Sequence, residues 1–110
     1  MSKRADSALL ADIQEAIRRV LAYTEALSYA EFLHATQIQD AVVRNLEILG
    51  EAVKRLSPDV KQRYDTIEWT KIAGMRDKLI HDYFGVNWDI VWAVIQDELP
   101  TLRRQLRRGR

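Results

Sequence analysis

Within the segment Met-Arg-Asp-Lys-Leu-Ile-His-Asp-Tyr-Phe, from Met75 to Phe84, a guanidinium, an imidazole and a phenol fall within eight residues of one another. Arg76, His81 and Tyr83 form an Arg-x4-His-x-Tyr pattern, and each residue type suits work on a phosphodiester. Arginine grips two phosphate oxygens through its planar fork. Histidine gives or takes a proton near neutral pH, and a tyrosine hydroxyl can donate, accept or be modified. On one α-helix, Arg76 and His81 lie roughly 140° apart around the axis, so they do not share a face. Arg76 and Tyr83 do share one, as do Asp77 and His81 four residues apart. A catalytic cleft therefore requires the helix to end near His81, or a second element, such as another copy of the chain, to bring a cation and an imidazole together. Without that convergence the same three residues read as a surface cation, an imidazole satisfying a helix-end carbonyl and a half-buried packing aromatic.

The elements that must hold these residues are all helical. Leu10, Ile13, Ile17, Val20 and Thr24 recur at helical spacing, predicting a helix over about 6–27 with Asp6 or Ser7 as its cap. Ser28 with Glu31 reads as a capping box for a short turn through Leu33, and Thr36 with Gln39 repeats that signal for a long helix reaching about Leu56. In that helix Ile38, Val42, Leu46, Leu49 and Val53 form the apolar stripe, and Gly50 predicts a close helix contact. Ser57-Pro58 stops the helix and starts a short one through about Tyr64, and Asp65-Thr66 marks a turn. A third long helix is predicted over Trp69 to Ile80, with Ile72, Met75, Leu79 and Tyr83 on one stripe. Gly85 ends this segment. Asn87 caps a fourth helix lined by Trp88, Val91, Ile95, Leu99, Leu102 and Leu106, in which Pro100 predicts a kink because it cannot donate to Gln96. The fold class is an all-α bundle of four to five helices.

Composition narrows the function classes. The chain of 110 residues, 47% hydrophobic and 30% charged, has the balance of one globular unit. Its apolar runs are too short to span a bilayer. The polar start predicts no signal peptide, and with no cysteine this favours a cytoplasmic location. The net charge of +1 conceals an asymmetry: Arg103, Arg104, Arg107, Arg108 and Arg110 form a basic tail at 103–110, while the remainder carries twelve basic against sixteen acidic residues. Such a tail reads first as a solvated helix end that complements the helix dipole, and second as a contact for nucleic acid or an acidic partner.

Other candidates are weaker. Arg44, Asn45 and Asp77 are candidates to line the same cleft, or its rim. His34 stands alone and reads as structural. With two histidines that lack a recurring helical partner, no metal site is expected. Glu47 and Glu51 lie at i,i+4 and read as salt-bridge or interface residues. Trp69, Trp88 and Trp92 read as core and interface aromatics rather than base-stacking platforms. Phosphate-loop and dinucleotide glycine patterns are absent.

Taken together, Arg-Asn-Leu-Glu-Ile-Leu-Gly-Glu-Ala from Arg44 to Ala52, Ile72 to Val86 with its Arg-x4-His-x-Tyr-Phe-Gly core, Trp-Asp-Ile-Val-Trp from Trp88 and Glu-Leu-Pro-Thr-Leu from Glu98 resemble the HEPN superfamily. Within it the chain is most similar to the HepT-like toxins paired with a minimal nucleotidyltransferase antitoxin. The resemblance covers nearly the full chain, 1–110, as a single HEPN domain. It implies a homodimer with facing motif helices and a metal-independent endoribonuclease that needs no cofactor. In that scheme Arg76 holds the scissile phosphate, His81 acts as general acid or base, and Tyr83 positions substrate. It further implies that the partner nucleotidyltransferase, using ATP and its own divalent metal, adenylylates Tyr83 (AMPylation). Transfer RNA is a candidate substrate by the resemblance alone. The competing expectation is a non-catalytic module that presents substrate to a partner nucleotidyltransferase.

Overall fold

The computed structural model describes residues 3–80 and 85–108, and within them every regular element is helical. In chain order these are α1 (Lys3–Thr24), α2 (Tyr29–Leu33), α3 (Thr36–Arg55), α4 (Pro58–Arg63), α5 (Trp69–Ile80), α6 (Trp88–Ala93) and α7 (Leu99–Arg108), with a π-helical stretch, Val94–Glu98, joining the last two. The all-α expectation holds. No helix among the described residues is long and apolar enough to cross a membrane.

The apolar stripes read from the sequence become the core. Ile13, Ile17 and Val20 of α1 lie against Val42, Leu46, Leu49 and Val53 of α3, all fully or almost fully buried. On its other flank α3 receives α5, through Met75 and Leu79. Val91, Val94 and Ile95 continue into Leu99, Leu102 and Leu106, closing the core from the C-terminal side. Gly50 is buried within α3, where the sequence predicted a close approach.

Local chemistry sets the helix ends, with some departures from expectation. Ser28 and Glu31 form the capping box of α2: the Glu31 N–H donates to Ser28 Oγ at 3.1 Å, and the Ser28 N–H donates to Glu31 Oε1 at 2.9 Å. Ser57 caps α4 with Pro58 in its first turn, and Asn87 caps α6. Thr36, by contrast, is the first residue of α3 and not its cap; Ala35 occupies that position and offers no side-chain oxygen. Asp6 does not cap α1 either. That helix begins at Lys3, and the Asp6 carboxylate instead reaches across the chain to accept the Ser57 N–H at 3.0 Å and the Ser57 hydroxyl at 2.7 Å. Those two bonds hold the Asp6 pKa below its ordinary value, the hydroxyl contributing most. They tie the first turn of α1 to the α3–α4 corner.

The break expected at Pro100 takes the form of the π-helical turn just before it. There the Leu99 N–H donates to the Val94 carbonyl, five residues back. Pro100 is the second residue of α7, immediately after that turn.

Candidate active site

Arg76 belongs to α5, and two contacts orient that helix. At its start, Trp69 is buried and its indole N–H donates to the carbonyls of Lys61 at 3.1 Å and Tyr64 at 3.2 Å, fixing α5 to the end of α4. Farther along, Met75 and Leu79 are buried four residues apart, so one face of α5 is pinned to the core. Asp77 lies on the exposed side, its carboxylate 3.9 Å from the Lys54 ammonium of α3.

Beyond the segment the chain is fixed again. Gly85 adopts φ 142°, a conformation that strains any other L-residue, although a Cβ there would meet nothing within 4 Å. Its requirement is conformational rather than steric. Asn87 Oδ1 then accepts the Ile90 N–H at 3.2 Å, and Trp88 and Trp92 of α6 close on the buried Phe32 ring, at centroid distances of 5.7 and 5.2 Å. The Tyr29 hydroxyl donates to the Asp89 carboxylate, joining α2 to α6 a second time and raising the Tyr29 pKa through that bond. This Tyr29–Asp89 pair was missed in the sequence, because it links residues sixty apart whose types carry no joint signal.

His81 and Tyr83 belong to the stretch 81–84, which lies outside the described residues, as does the side chain of Arg76. The geometry therefore bears on the frame around the predicted triad: an anchored α5 before it, and a capped, aromatic-clamped α6 after it. The remaining candidates separate. Arg44 is exposed and lines a groove of about 320 Å³ between α1 and α3 with Asp12, Glu47, Glu51 and Arg55. Asn45 is buried and does not join it; its amide donates to the Ala41 carbonyl at 2.8 Å on its own helix. Among the described residues no group of three or more His, Asp or Glu side chains is arranged to hold a metal. His34 is exposed at the end of α2, where its N–H closes the helix on Glu31 and Phe32.

Comparison with known proteins places this frame in a family. The sequence model of the family described as Ribonuclease HepT-like matches residues 13–108. The protein named "Putative RNase MJ1216" of Methanocaldococcus jannaschii is 42% identical over 105 residues, which cover 96% of this chain and 87% of that one. "Probable ribonuclease HepT" of Thermococcus cleftensis is 41% identical over 101 residues, 92% of each chain. "Putative RNase TTE0752" of Caldanaerobacter subterraneus is 45% identical over 83 residues, 76% of this chain and 74% of that one. No solved structure gives a significant match. A match that runs through every helix from the middle of α1 to the end of α7, with relatives aligned over most of their own length, shows that the chain belongs to the ribonuclease HepT-like family.

Proposed function

We propose that the chain is a metal-independent endoribonuclease built on Arg76, His81 and Tyr83, acting as a homodimer and controlled as the toxin of a two-gene toxin–antitoxin system. The observation that carries this reading is the Arg-x4-His-x-Tyr spacing, in a chain of a ribonuclease family, at a place bracketed by the anchored α5 and the capped start of α6. The ribose 2′-oxygen attacks the adjacent phosphorus, the bond to the 5′-oxygen breaks, and a 2′,3′-cyclic phosphate and a 5′-hydroxyl remain. One proton must leave the 2′-hydroxyl and one must reach the departing oxygen. His81 carries a proton at neutral pH in either direction. Arg76 neutralises charge that grows on the phosphoryl oxygens, and Tyr83 positions the substrate. Pairing of two chains supplies the convergence that one helix cannot.

In this reading the antitoxin is a partner nucleotidyltransferase that transfers adenylate from ATP to Tyr83. The phenol oxygen attacks the α-phosphorus and pyrophosphate leaves, with the divalent metal held by the partner. Each adenylate places negative charge and bulk two residues from His81, where it competes with substrate for Arg76. The alternative, a non-catalytic module for that partner, makes no use of an imidazole beside a phosphate clamp.

The test is cleavage of RNA by the purified chain in the presence of a chelator, with the product ends identified. Wild-type protein is expected to leave 2′,3′-cyclic phosphate ends. His81→Ala and Arg76→Ala are each expected to lose on the order of 10²–10⁴ in rate with unchanged melting. Wild-type protein that binds RNA without cutting it would favour the module, and full activity in either variant would remove that residue from the mechanism.

A further inference from the structure

Arg103 and Arg107, which the sequence offers only as part of a basic tail, are built into a groove. They stand one turn apart on α7 and, with Ala11, Gln14, Glu15 and Arg18 of α1, line a surface groove of about 450 Å³. Three guanidinium groups thus share one wall system with a single carboxylate, and that carboxylate is already taken. Glu15 accepts from Arg18 at 2.8 and 2.7 Å and from Arg19 at 2.8 Å, and these bonds pull its pKa to about 2. Neither Arg103 nor Arg107 has an ion-pair partner among the described residues. Arg103 also borders an adjoining cleft whose lining includes Glu25.

Stability accounts for only part of this arrangement, the last-turn Arg107. Arg103 with Arg107, and Arg104 with Arg108, are like-charge pairs at i,i+4, which oppose helix formation. The helix dipole favours cations only in the last turn, and Arg103 and Arg104 precede it. No acidic residue lies anywhere in α7. The groove is a place where an added anion relieves repulsion.

We propose that the groove between α1 and α7 is a docking track for the phosphate backbone of the RNA substrate, with Arg103 and Arg107 as its principal contacts; this rests on the ribonuclease reading above. An acidic protein is the less suitable occupant. Every leucine of α7 (Leu99, Leu102 and Leu106) is buried in the core, so its outer surface offers no apolar anchor of the kind that carries protein–protein affinity. Nucleic-acid interfaces are strongly positive and polar, and arginine forks match phosphate. Because backbone contacts carry no base information, the groove strengthens binding without selecting sequence.

The experiment measures binding of the full chain to a short 2′-O-methylated single-stranded RNA, whose blocked 2′-oxygen prevents cleavage, across a salt series. The double variant Arg103→Gln/Arg107→Gln is expected to bind at least about tenfold more weakly. Its dependence of log affinity on log salt should flatten by about 1.4, two contacts at roughly 0.7 each. The loss is expected to be equal across RNA sequences, with melting unchanged. Glu15→Gln, which releases Arg18 and Arg19, is expected to tighten binding. Arg104→Gln/Arg108→Gln removes the same charge from α7 outside the groove lining and is expected to lose distinctly less. Equal losses in the two double variants would reduce the effect to net charge and overturn the groove. Unchanged RNA binding with lost binding to an acidic polypeptide would overturn it in favour of a protein contact. Cleavage of unmodified RNA is scored separately. A chain that cuts RNA while the groove variants bind normally refutes only the groove, and one that binds through the groove but never cuts refutes only the ribonuclease reading.

Discussion

Replacing Phe32 with alanine tests whether the frame behind the motif is held as the packing indicates. Phe32 is wholly buried, and its ring meets Trp88 edge-on at 5.7 Å and Trp92 at a tilt at 5.2 Å. It is the buried residue of α2, a helix of five residues that is too short to persist without tertiary support. A fully buried aromatic removes about 150–250 Å² from water, which at about 25 cal/mol per Å² corresponds to roughly 4–6 kcal/mol as an upper bound. Alanine retains the Cβ, and the pocket can partly collapse, so the expected loss is about 3–5 kcal/mol. That is a large share of the roughly 5–15 kcal/mol that stabilises a typical domain. Urea denaturation followed by both tryptophan fluorescence and far-ultraviolet circular dichroism measures it, since Trp88 and Trp92 report on the altered contact. Phe32→Leu, which keeps most of the apolar volume, should cost clearly less. A loss below about 1 kcal/mol in the alanine variant, or separate midpoints from the two probes in the wild type, would refute the argument that α2 and α6 belong to one cooperative core.

Three further outcomes are expected. The Asp6 carboxyl is held below its ordinary value of 3.8 by Ser57, so its contribution is complete above that value and is lost as pH falls through the folded-state value; the stability gap between wild type and Asp6→Asn should close on acidification from neutral pH, and a gap that stays constant or widens would contradict the assignment. Intact-mass analysis after incubation with the partner nucleotidyltransferase and ATP should show adenylate added to wild type and none to Tyr83→Phe; label that persists in the variant would remove Tyr83 as the acceptor. Light scattering at micromolar concentration should give the mass of two chains, and a strict monomer that cleaves RNA would sink the composite-site argument.

What the sequence made legible was whatever rests on short-range chemistry. The Ser28/Glu31 box, the Ser57-Pro58 start, the Asn87 cap and the start of α5 all follow from residues within one turn of each other, and the structure has them. The errors arise where a short polar side chain had two possible partners. Asp6 looked like a cap because caps are local, yet its carboxylate bonds Ser57, fifty-one positions away. Thr36 offered a cap that Ala35 forestalled by taking the preceding position. Arg44 and Asn45 are neighbours in sequence but point to different environments, one to a solvent groove and one to its own helix backbone, and only the azimuth set by α1 packing separates them. At the predicted triad, the sequence speaks through residue type and spacing, and the described residues speak through the anchors on either side. The groove on α7 needed the fold, because nothing in the order of residues says that Arg18 stands opposite Arg103 and Arg107.

The π-helical turn at Val94–Glu98 carries a consequence for which residues α7 can show to solvent. In a regular α-helix one additional residue turns everything downstream by about 100°. A turn closed over five residues absorbs one residue of chain without that rotation. The helix running from Trp88 to Arg108 therefore contains a phase adjuster, placed between the half that clamps Phe32 and the half that displays arginine. Upstream Val91 keeps to the core, and downstream Leu99, Leu102 and Leu106 do so too, although a turn of wider winding separates the two α-helical halves. The aromatic clamp and the cationic surface are thereby free to be aimed separately, and chain length is more forgiving in those five residues than anywhere in α1 or α3, where a single insertion would turn an apolar stripe out of the core.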